Sequence, residues 1–224
     1  MRVPPAPLGR FPRMTQPVRA GGTRDLRFGS LDIAYDERVL EPRPWTAEQS
    51  RWGAELLVAL PPGRILELCT GAGHIGLLTA ALSGRPLVAV DIDPVACAFA
   101  RHNAARAGLD VDVREGPMDR VLAAEESFAL VTADPPWVPR AQTGRFPDDP
   151  LLAIDGGDDG LDLARLCLTV ADAHLAEEGS VLLQLGTEDQ VSEIAAWASE
   201  RVRLRVTDSR AHGTRGVVAR LDRP

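Results

Sequence analysis

The chain contains no lysine, and all 25 of its basic residues are arginine. We attribute this bias to GC-rich coding before any selection for phosphate binding. Cysteine is also scarce, because Cys69, Cys97 and Cys167 are the only three and they are scattered singly. This spacing excludes the close cysteine pairs of a zinc site and argues against a disulfide framework. We therefore expect a reducing, cytoplasmic location.

Long apolar runs and a secretory signal are absent as well. No segment is apolar enough to span a bilayer, so no membrane association is expected. Residues 1–24 are rich in Pro, Gly and Arg but lack an apolar core, which predicts a disordered leader. The length of 224 residues, the apolar fraction of 45% and the net charge of −7 fit one main folded domain.

Strand and helix patterns alternate along the rest of the chain. Residues 25–62 are predicted to form a hairpin turning at Gly29-Ser30 and a helix from Thr46 to about Leu60, which together cap one side of a pocket. Residues 63–224 are predicted to form the domain that carries the ligand site. Its expected strands lie at 64–69, 87–91, 111–114, 128–133, 180–186, 202–207 and 216–221, and its expected helices at 74–82, 94–107, 161–175 and 188–199. This alternation predicts an α/β fold with three layers, α/β/α, around a mostly parallel seven-stranded sheet whose last strand is antiparallel.

A glycine-rich loop follows the first strand of that domain. Leu66 to Gly73 reads Leu-Glu-Leu-Cys-Thr-Gly-Ala-Gly, and Asp91 ends the next strand about twenty residues later, where nucleotide-binding folds reach ribose hydroxyls. We predict that Glu67 accepts a hydrogen bond from a ligand ammonium group, directly or through water, and that Asp91 accepts from both ribose hydroxyls. The predicted cofactor-binding residues are Glu67, Cys69, Thr70, Gly71, Gly73, Asp91, Ile92 and Asp134.

The loop alone leaves alternatives open. Gly76 completes a Gly-x-Gly-x-x-Gly pattern with Gly71 and Gly73, which is also typical of nicotinamide dinucleotide binding. The glycines could serve an ordinary tight turn, and Asp91 could merely cap the helix expected to begin at Pro94. A second motif is needed to decide between these readings.

That motif is Asp134-Pro135-Pro136-Trp137, directly after the strand predicted at 128–133. Two prolines fix the backbone direction, so the Asp134 side chain and a proline carbonyl can hold both hydrogens of an NH2 group and turn its lone pair outward. Trp137 is expected to stack on a planar substrate. The predicted catalytic residues are Asp134, Pro135, Pro136 and Trp137, and the alternative is a rigid surface turn. Loop and clamp together predict methyl transfer from S-adenosylmethionine (SAM) to nitrogen.

Two further features are interpreted structurally. Six aspartates lie between Asp148 and Asp162, but their spacing is not that of a calcium loop, so no metal is assigned. His74 follows the cofactor loop, where packing at the start of a helix is favoured over a role as general base.

Three stretches resemble one family. Val39 to Thr46, which contains Pro-Arg-Pro, is similar to the entry segment of the protein-glutamine N5-methyltransferases that modify peptide release factors. Glu67 to Gly73 is similar to the cofactor loop of that family. Asp148 to Leu161 is similar to the family's Ala-Leu-Asp-Gly-Gly-x-Asp-Gly-Leu segment. This resemblance covers roughly residues 31 to 222. It implies a Rossmann-like class I methyltransferase fold, SAM as cofactor and a protein or peptide glutamine amide as acceptor.

The chain also departs from that family. The family clamp is Asn-Pro-Pro-Tyr, whereas Asp134 and Trp137 stand here, and an Asp resembles the clamp of enzymes that methylate nucleic-acid amino groups. The family's N-terminal recognition domain has no counterpart before Leu26, as a small-molecule amine or hydroxyl acceptor would permit. Three alternatives therefore stay open: a small molecule, a nucleic-acid exocyclic amine, disfavoured by the acidic net charge, and a catalytically silent SAM-binding partner subunit.

Overall fold

The computed structural model describes residues 22–213 and 215–224. Residues 1–21, and with them almost all of the leader predicted to be disordered, lie outside the described residues. The predicted hairpin is confirmed: β1 (Arg24–Phe28) and β2 (Leu31–Tyr35) pair antiparallel. Gly29 makes the turn with a positive φ of 57°, and a Cβ there would lie 2.7 Å from the side chain of Leu78, so glycine is required.

The remaining elements form an α/β sandwich. A short 3-10 helix, Pro44–Thr46, leads into the first α-helix, and a second one spans Arg140–Arg145. The α-helices are α1 (Ala47–Leu57), α2 (His74–Ser83), α3 (Pro94–Ala107), α4 (Leu151–Ile154), α5 (Asp162–His174) and α6 (Glu188–Arg201). The strands are β3 (Arg64–Leu68), β4 (Leu87–Asp91), β5 (Val111–Glu115), β6 (Phe128–Ala133), β7 (Leu175–Leu185), β8 (Arg205–Ala211) and β9 (Val217–Asp222).

The seven strands β3 to β9 form one sheet in the order β5-β4-β3-β6-β7-β9-β8. The neighbours from β5 to β7 are parallel, and β9 runs antiparallel to both β7 and β8. This arrangement confirms the predicted fold class and the antiparallel last strand. The short connection between β8 and β9 allows only antiparallel pairing, since a parallel pair needs a crossover.

Apolar residues alternate between the two faces of the sheet, as the two-residue period of a strand requires. In β3, Leu66 and Leu68 pack in a buried cluster with α5 and α6, whereas Ile65 packs in a second cluster on the opposite face. That second cluster contains Phe28 of the hairpin and Trp52 of α1. Residues 25–62 therefore share a core with the sheet.

Several predicted ends of strands and helices were wrong, and the two wrong strand starts depend on pairing with distant strands. Strand β7 begins at Leu175 instead of 180, because Leu175 pairs with Phe128 of β6. Strand β8 begins at Arg205 instead of 202, because its first partner is Asp222 of β9. Helix α1 ends at Leu57 instead of about Leu60 and continues only as a turn.

The strand order reverses at β3, which places two loops side by side. The chain runs from β3 to β4 and β5 on one side and then returns to β6 on the other. Leu68 pairs with Ala133, so the glycine-rich loop and the Asp-Pro-Pro-Trp clamp begin at neighbouring points of the same sheet edge. Open α/β sheets bind ligands at such a switch point. No helix among the described residues is long and apolar enough to cross a membrane.

Candidate functional site

The carboxyl ends of β3, β4 and β6 surround a cavity of about 600 Å³. Ligand pockets typically measure roughly 300–1,000 Å³, so this one can hold a nucleoside-sized cofactor. Residues predicted for the site that lie on the cavity wall are Cys69, Thr70, Gly71, Asp91, Ile92, Asp134 and Pro136. Residues predicted for the site that do not lie on the wall are Glu67, Gly73, Pro135 and Trp137.

Glu67 holds the cofactor loop together from inside. Its side chain is buried, one carboxylate oxygen accepts from the Gly76 amide at 2.7 Å, and the other accepts from the Thr70 hydroxyl. Burial raises the pKa of Glu67 to about 8. A side chain at Gly76 would overlap the Glu67 carboxylate, which explains the glycine there. This placement ties the loop to α2 and gives no direct access to a ligand ammonium group.

The loop itself depends on left-handed backbone conformations. Gly71 and Gly73 have φ values of 54° and 85°, and Gly73 precedes the first residue of α2. Cys69 adopts φ 58°, the only positive φ among non-glycine residues of the described chain. Such a conformation is uncommon for a residue with a Cβ and clusters at functional sites. The contact with the Cys167 thiol, together with burial, raises the pKa of Cys69, so this thiol stays protonated.

Asp91 connects the end of β4 to the same loop. One carboxylate oxygen accepts from the Gly71 amide at 2.8 Å and the other from the Asp93 amide at 2.9 Å. Each oxygen keeps a second lone pair for a ligand hydroxyl, and burial raises the pKa of Asp91. The alternative that Asp91 caps the following helix is wrong, because Asp93 accepts from the Val95 amide at the start of α3.

Three further segments of the wall contain none of the predicted site residues, although residues 25–62 were expected to cap the pocket. They are Arg38 to Leu40 after the hairpin, Gly116 to Asp119 after β5, and Pro150 to Ala153 with Asp155 around α4. The second segment follows a parallel strand, so the strand-end rule could have found it. The first shows how the N-terminal part reaches the cavity, since the wall contains residues after the hairpin and no residue of β1 or β2. The third comes from a helix of four residues, too short for a periodic pattern.

Asp134 faces the cavity and has no partner within the part of the chain that the structure describes. Among the described residues, no hydrogen bond or ion pair reaches its carboxylate, and burial raises its pKa to about 7. A carboxylate in such surroundings lacks the hydrogen bonds that normally stabilise its charge. Asp134 therefore has its full acceptor capacity available for a ligand.

The Trp137 side chain of the clamp does not lie where it was predicted to stack on a substrate. A side chain at Gly186 would overlap the Trp137 ring, so the ring lies against the loop after β7 and away from the cavity wall. The Trp137 carbonyl accepts from Gln190 of α6 at 3.0 Å. Trp137 thus anchors the clamp, and the structure does not place its ring where a substrate in the cavity would stack.

The segment that follows α4 supports the clamp from behind. Val138 donates to the Ile154 carbonyl at 3.0 Å, and Gly156 donates back to Val138 at 2.9 Å. A Cβ at Gly156 would lie 2.6 Å from the Pro136 carbonyl, and one at Gly160 would overlap the Trp137 carbonyl. The glycines of this segment therefore allow two backbones to touch.

Gln49 of α1 supports the clamp from the other face and was also missed. Its buried amide nitrogen lies within hydrogen-bond distance of the Thr132 hydroxyl at 2.8 Å, the Ala133 carbonyl at 3.1 Å and the Leu182 carbonyl at 3.2 Å. Thr132 and Ala133 end β6 directly before Asp134, and Leu182 is the partner of Thr132 in the neighbouring strand β7. A buried polar side chain in a helix next to a strand end is the signal that could have identified it.

His74 lies on the wall as a neutral ring. Its imidazole packs edge-on against Phe28 at a centroid distance of 4.9 Å, and burial lowers its pKa to about 4. Among the described residues, its Nδ1 atom has no hydrogen-bond partner. The packing with Phe28 agrees with the interpretation of His74 as a helix-start packing residue.

The wall is predominantly acidic and apolar. Its aspartates are Asp91, Asp93, Asp119, Asp134 and Asp155. Within the described wall, Arg38 is the single arginine, and its guanidinium already binds Asp36, with Nε at 3.0 Å from both carboxylate oxygens. The described residues contain no group of three or more His, Cys, Asp or Glu side chains arranged to hold a metal ion.

A glycine-rich loop after β3, an acidic residue ending β4 and an Asp-Pro-Pro-Trp clamp after β6, in this strand order, are the architecture of a class I SAM-dependent methyltransferase. Residues 65–145 match the family model described as a methyltransferase domain. The chain also resembles a solved structure, the hMettl16 catalytic domain in complex with MAT2A 3′UTR hairpin 6, with a TM-score of 0.68. At 16% identity, with 86% of this chain and 75% of that one covered, the likeness concerns the fold.

Curated relatives are more similar in sequence. The release factor glutamine methyltransferase of Deinococcus radiodurans is 36% identical over 168 residues, which cover 73% of this chain and 60% of that protein. The ribosomal protein uL3 glutamine methyltransferase of Bordetella pertussis is 34% identical, with 71% and 56% covered. The release factor glutamine methyltransferase of Moorella thermoacetica is 33% identical over 216 residues, with 88% and 76% covered. Matches thus span little more than half of the first two relatives. The chain belongs to the family of the release factor glutamine methyltransferases.

Proposed function

We propose that this protein is a SAM-dependent N-methyltransferase and that its acceptor is the side-chain amide of a protein glutamine. The observation that carries the proposal is the unpartnered carboxylate of Asp134 on the same cavity wall as the loop Cys69-Thr70-Gly71. The family supports the acceptor class, since the curated relatives are named as glutamine methyltransferases.

The residues of the cavity fit SAM. Asp91 retains acceptor capacity for ribose hydroxyls, and the exposed side chain of Ile92 together with Met118 offers an apolar surface to a planar base. The N-terminus of α2, with His74 and Ile75 on the wall, favours the carboxylate of an amino acid. Bound SAM supplies an electrophilic methyl group.

The clamp performs the positioning. Asp134 accepts one hydrogen of the acceptor NH2 group, and a backbone carbonyl of the clamp accepts the other. With both hydrogens engaged, the nitrogen lone pair is directed toward the cofactor half of the cavity. Gln49 and Gly156 keep the clamp backbone in place during this step, because Gln49 bonds to the Ala133 carbonyl before Asp134 and Gly156 bonds to the Val138 carbonyl after Trp137. Positioning rather than a strong base supplies the acceleration.

A second acceptor class is favoured by one observation. Asp134 and the acidic wall accept hydrogen bonds and offer no free cation within the described cavity, which suits an amine-bearing small molecule. The same charge disfavours a nucleic acid, since its phosphates would be repelled.

The test uses methyl-labelled SAM, purified protein and three acceptor pools: proteins, small amines and RNA. We expect label in protein, located at glutamine by mass spectrometry, and its loss in Asp134→Ala while SAM affinity measured by calorimetry stays within about threefold. Label in small amines or RNA would instead identify that class. Full SAM binding without transfer to any pool would contradict the enzymatic proposal and favour a silent SAM-binding subunit.

A further inference from the structure

One ion pair joins two of the segments that carry the family resemblance. The Nη2 group of Arg43, in Pro-Arg-Pro, lies 2.8 and 2.9 Å from the two carboxylate oxygens of Asp149. The residues are 106 positions apart, and their side chains are 33% and 19% exposed. A carboxylate held through both oxygens has a restricted orientation, so the pair fixes one segment relative to the other.

Both partners adjoin the cavity without lining it. Arg43 follows Val39 and Leu40, which are on the wall, and its carbonyl accepts from the Thr46 amide at 3.0 Å, where the helical region before α1 begins. Asp149 directly precedes Pro150, the first residue of the α4 part of the wall. The pair therefore links the chain that follows Val39 and Leu40 of the wall to the α4 part of the wall.

Helix α4 has few other attachments to the body of the protein. Leu151 and Leu152 line the cavity yet are 60% and 64% exposed, and only Ile154 is buried. The C-terminal end of α4 is held by the bond from Val138 to the Ile154 carbonyl. The N-terminal end is held through Asp149. A partly exposed ion pair adds little to overall stability. Its position at the N-terminal end of α4 therefore indicates that it holds this end of the helix in place.

We infer that Arg43 and Asp149 are positioning residues, whose ion pair holds the Pro150–Ala153 wall at the distance that admits the methyl acceptor. The inference rests on the proposed function for its acceptor, but the placement of α4 is measurable without any acceptor. Loss of the pair lets α4 move outward and widens the acceptor side, while the cofactor loop, tied through Glu67 and Asp91, is unaffected.

The experiment compares Asp149→Asn and Arg43→Gln with the double variant and with Asp172→Asn. Asp172 is a matched control, since its side chain is also 19% exposed and pairs with an arginine, Arg203, away from the cavity. Hydrogen exchange reports on the Ala153 and Asp155 amides, which bond to the Pro150 and Leu151 carbonyls. Steady-state kinetics report KM for the acceptor, and calorimetry reports the affinity for SAM.

We expect faster exchange at these amides, a rise of about tenfold in acceptor KM, and SAM affinity unchanged within about twofold. The double variant should be no worse than the single ones, because the pair acts as a unit. Unchanged exchange in both single variants would overturn the inference, as would faster exchange with unchanged acceptor KM. An absence of methyl transfer in the parent protein would instead contradict the proposed function, and the exchange result would still decide whether the pair positions α4.

Discussion

The two halves of the cavity are held by different kinds of interaction. The proposed cofactor half, defined by residues 69–73 and Asp91, is fixed by hydrogen bonds from the Gly71 amide to the partly buried Asp91 carboxylate and from the Gly76 amide of α2 to the buried Glu67 carboxylate. The proposed acceptor half, defined by residues 150–155, contains exposed leucines and is tied to the rest of the fold by the Arg43–Asp149 pair and by the bridge between Val138 and Asp155. Buried hydrogen bonds leave little freedom, whereas a short exposed helix moves at small cost.

This difference indicates how proteins of this fold can bind the same cofactor while they differ in the methyl acceptor. Substitutions in the cofactor half disturb buried polar groups and therefore damage the loop and the fold together. Substitutions in the acceptor half change exposed side chains, which seldom alter stability. The proposed division therefore predicts that acceptor specificity can vary without loss of SAM binding.

The largest effect is expected for Gly76→Ala in the cofactor half. The added methyl group would overlap the Glu67 carboxylate and lie 3.0 Å from Leu87, so the tie between loop and helix would break. We expect a loss of about 2–3 kcal/mol in unfolding free energy and a loss of SAM affinity of about tenfold or more. Gly144→Ala is the control, because no atom lies within 4 Å of its Cβ position. If Gly76→Ala bound SAM as tightly as the parent protein, the assignment of this half of the cavity to the cofactor would be contradicted.

An effect of comparable size on stability, visible only as a function of pH, is expected for Asp134→Asn. Burial raises the pKa of Asp134 from 3.8 to about 7, so the folded state holds this proton more tightly than the unfolded state. Stability contributed at this position is therefore present below the unfolded pKa and is lost as the pH rises to about 7. The variant, which cannot ionise, should gain about 2–3 kcal/mol over the parent between about pH 5 and about pH 8.

Urea denaturation at the two pH values measures this gain. Glu67, whose pKa burial raises to about 8, contributes in both proteins, and only the minor part of its shift that comes from the Asp134 charge differs between them. If the unfolding free energies of variant and parent differ by the same amount at both pH values, the folded protein does not disfavour the charged form of Asp134.

The smallest effect on stability is expected for Leu152→Ala in the acceptor half. Because Leu152 is mostly exposed and lies on the wall, unfolding free energy should change by less than about 0.5 kcal/mol. Acceptor KM should still rise about threefold, since an apolar contact is lost. Leu82→Ala, on an exposed leucine of α2 outside the wall, should change neither quantity. A selective loss of SAM affinity in Leu152→Ala would contradict the division into halves.

Local signals predicted the central strands and helices well. Strands β4 and β6 and helix α3 begin and end where the sequence pattern placed them, because apolar runs and a proline or glycine mark their ends. Strands β7 and β8 did not, since Leu175 and Arg205 take their strand conformation from partners far away in the chain. Strand pairing of this kind depends on packing more than on intrinsic preference.

The same distinction between local and long-range signals applies to the site. The loop after β3, Asp91 and Asp134 could be predicted because each lies at the carboxyl end of a strand of a parallel sheet. Leu40 and Leu151 could not be predicted to line the same cavity, since they come from separate segments that meet only in the folded chain.

The sequence alone determined the order of strands and helices, the position of the glycine-rich loop and the identity of the clamp, because apolar periodicity and the backbone limits of glycine and proline act over a few residues. Only the tertiary structure decided that Glu67 ties the loop from inside, that Trp137 packs behind the clamp and that Arg43 meets Asp149. Those roles depend on which buried groups find partners across the fold, and hydrogen bonding and packing between distant segments settle that after the chain has folded.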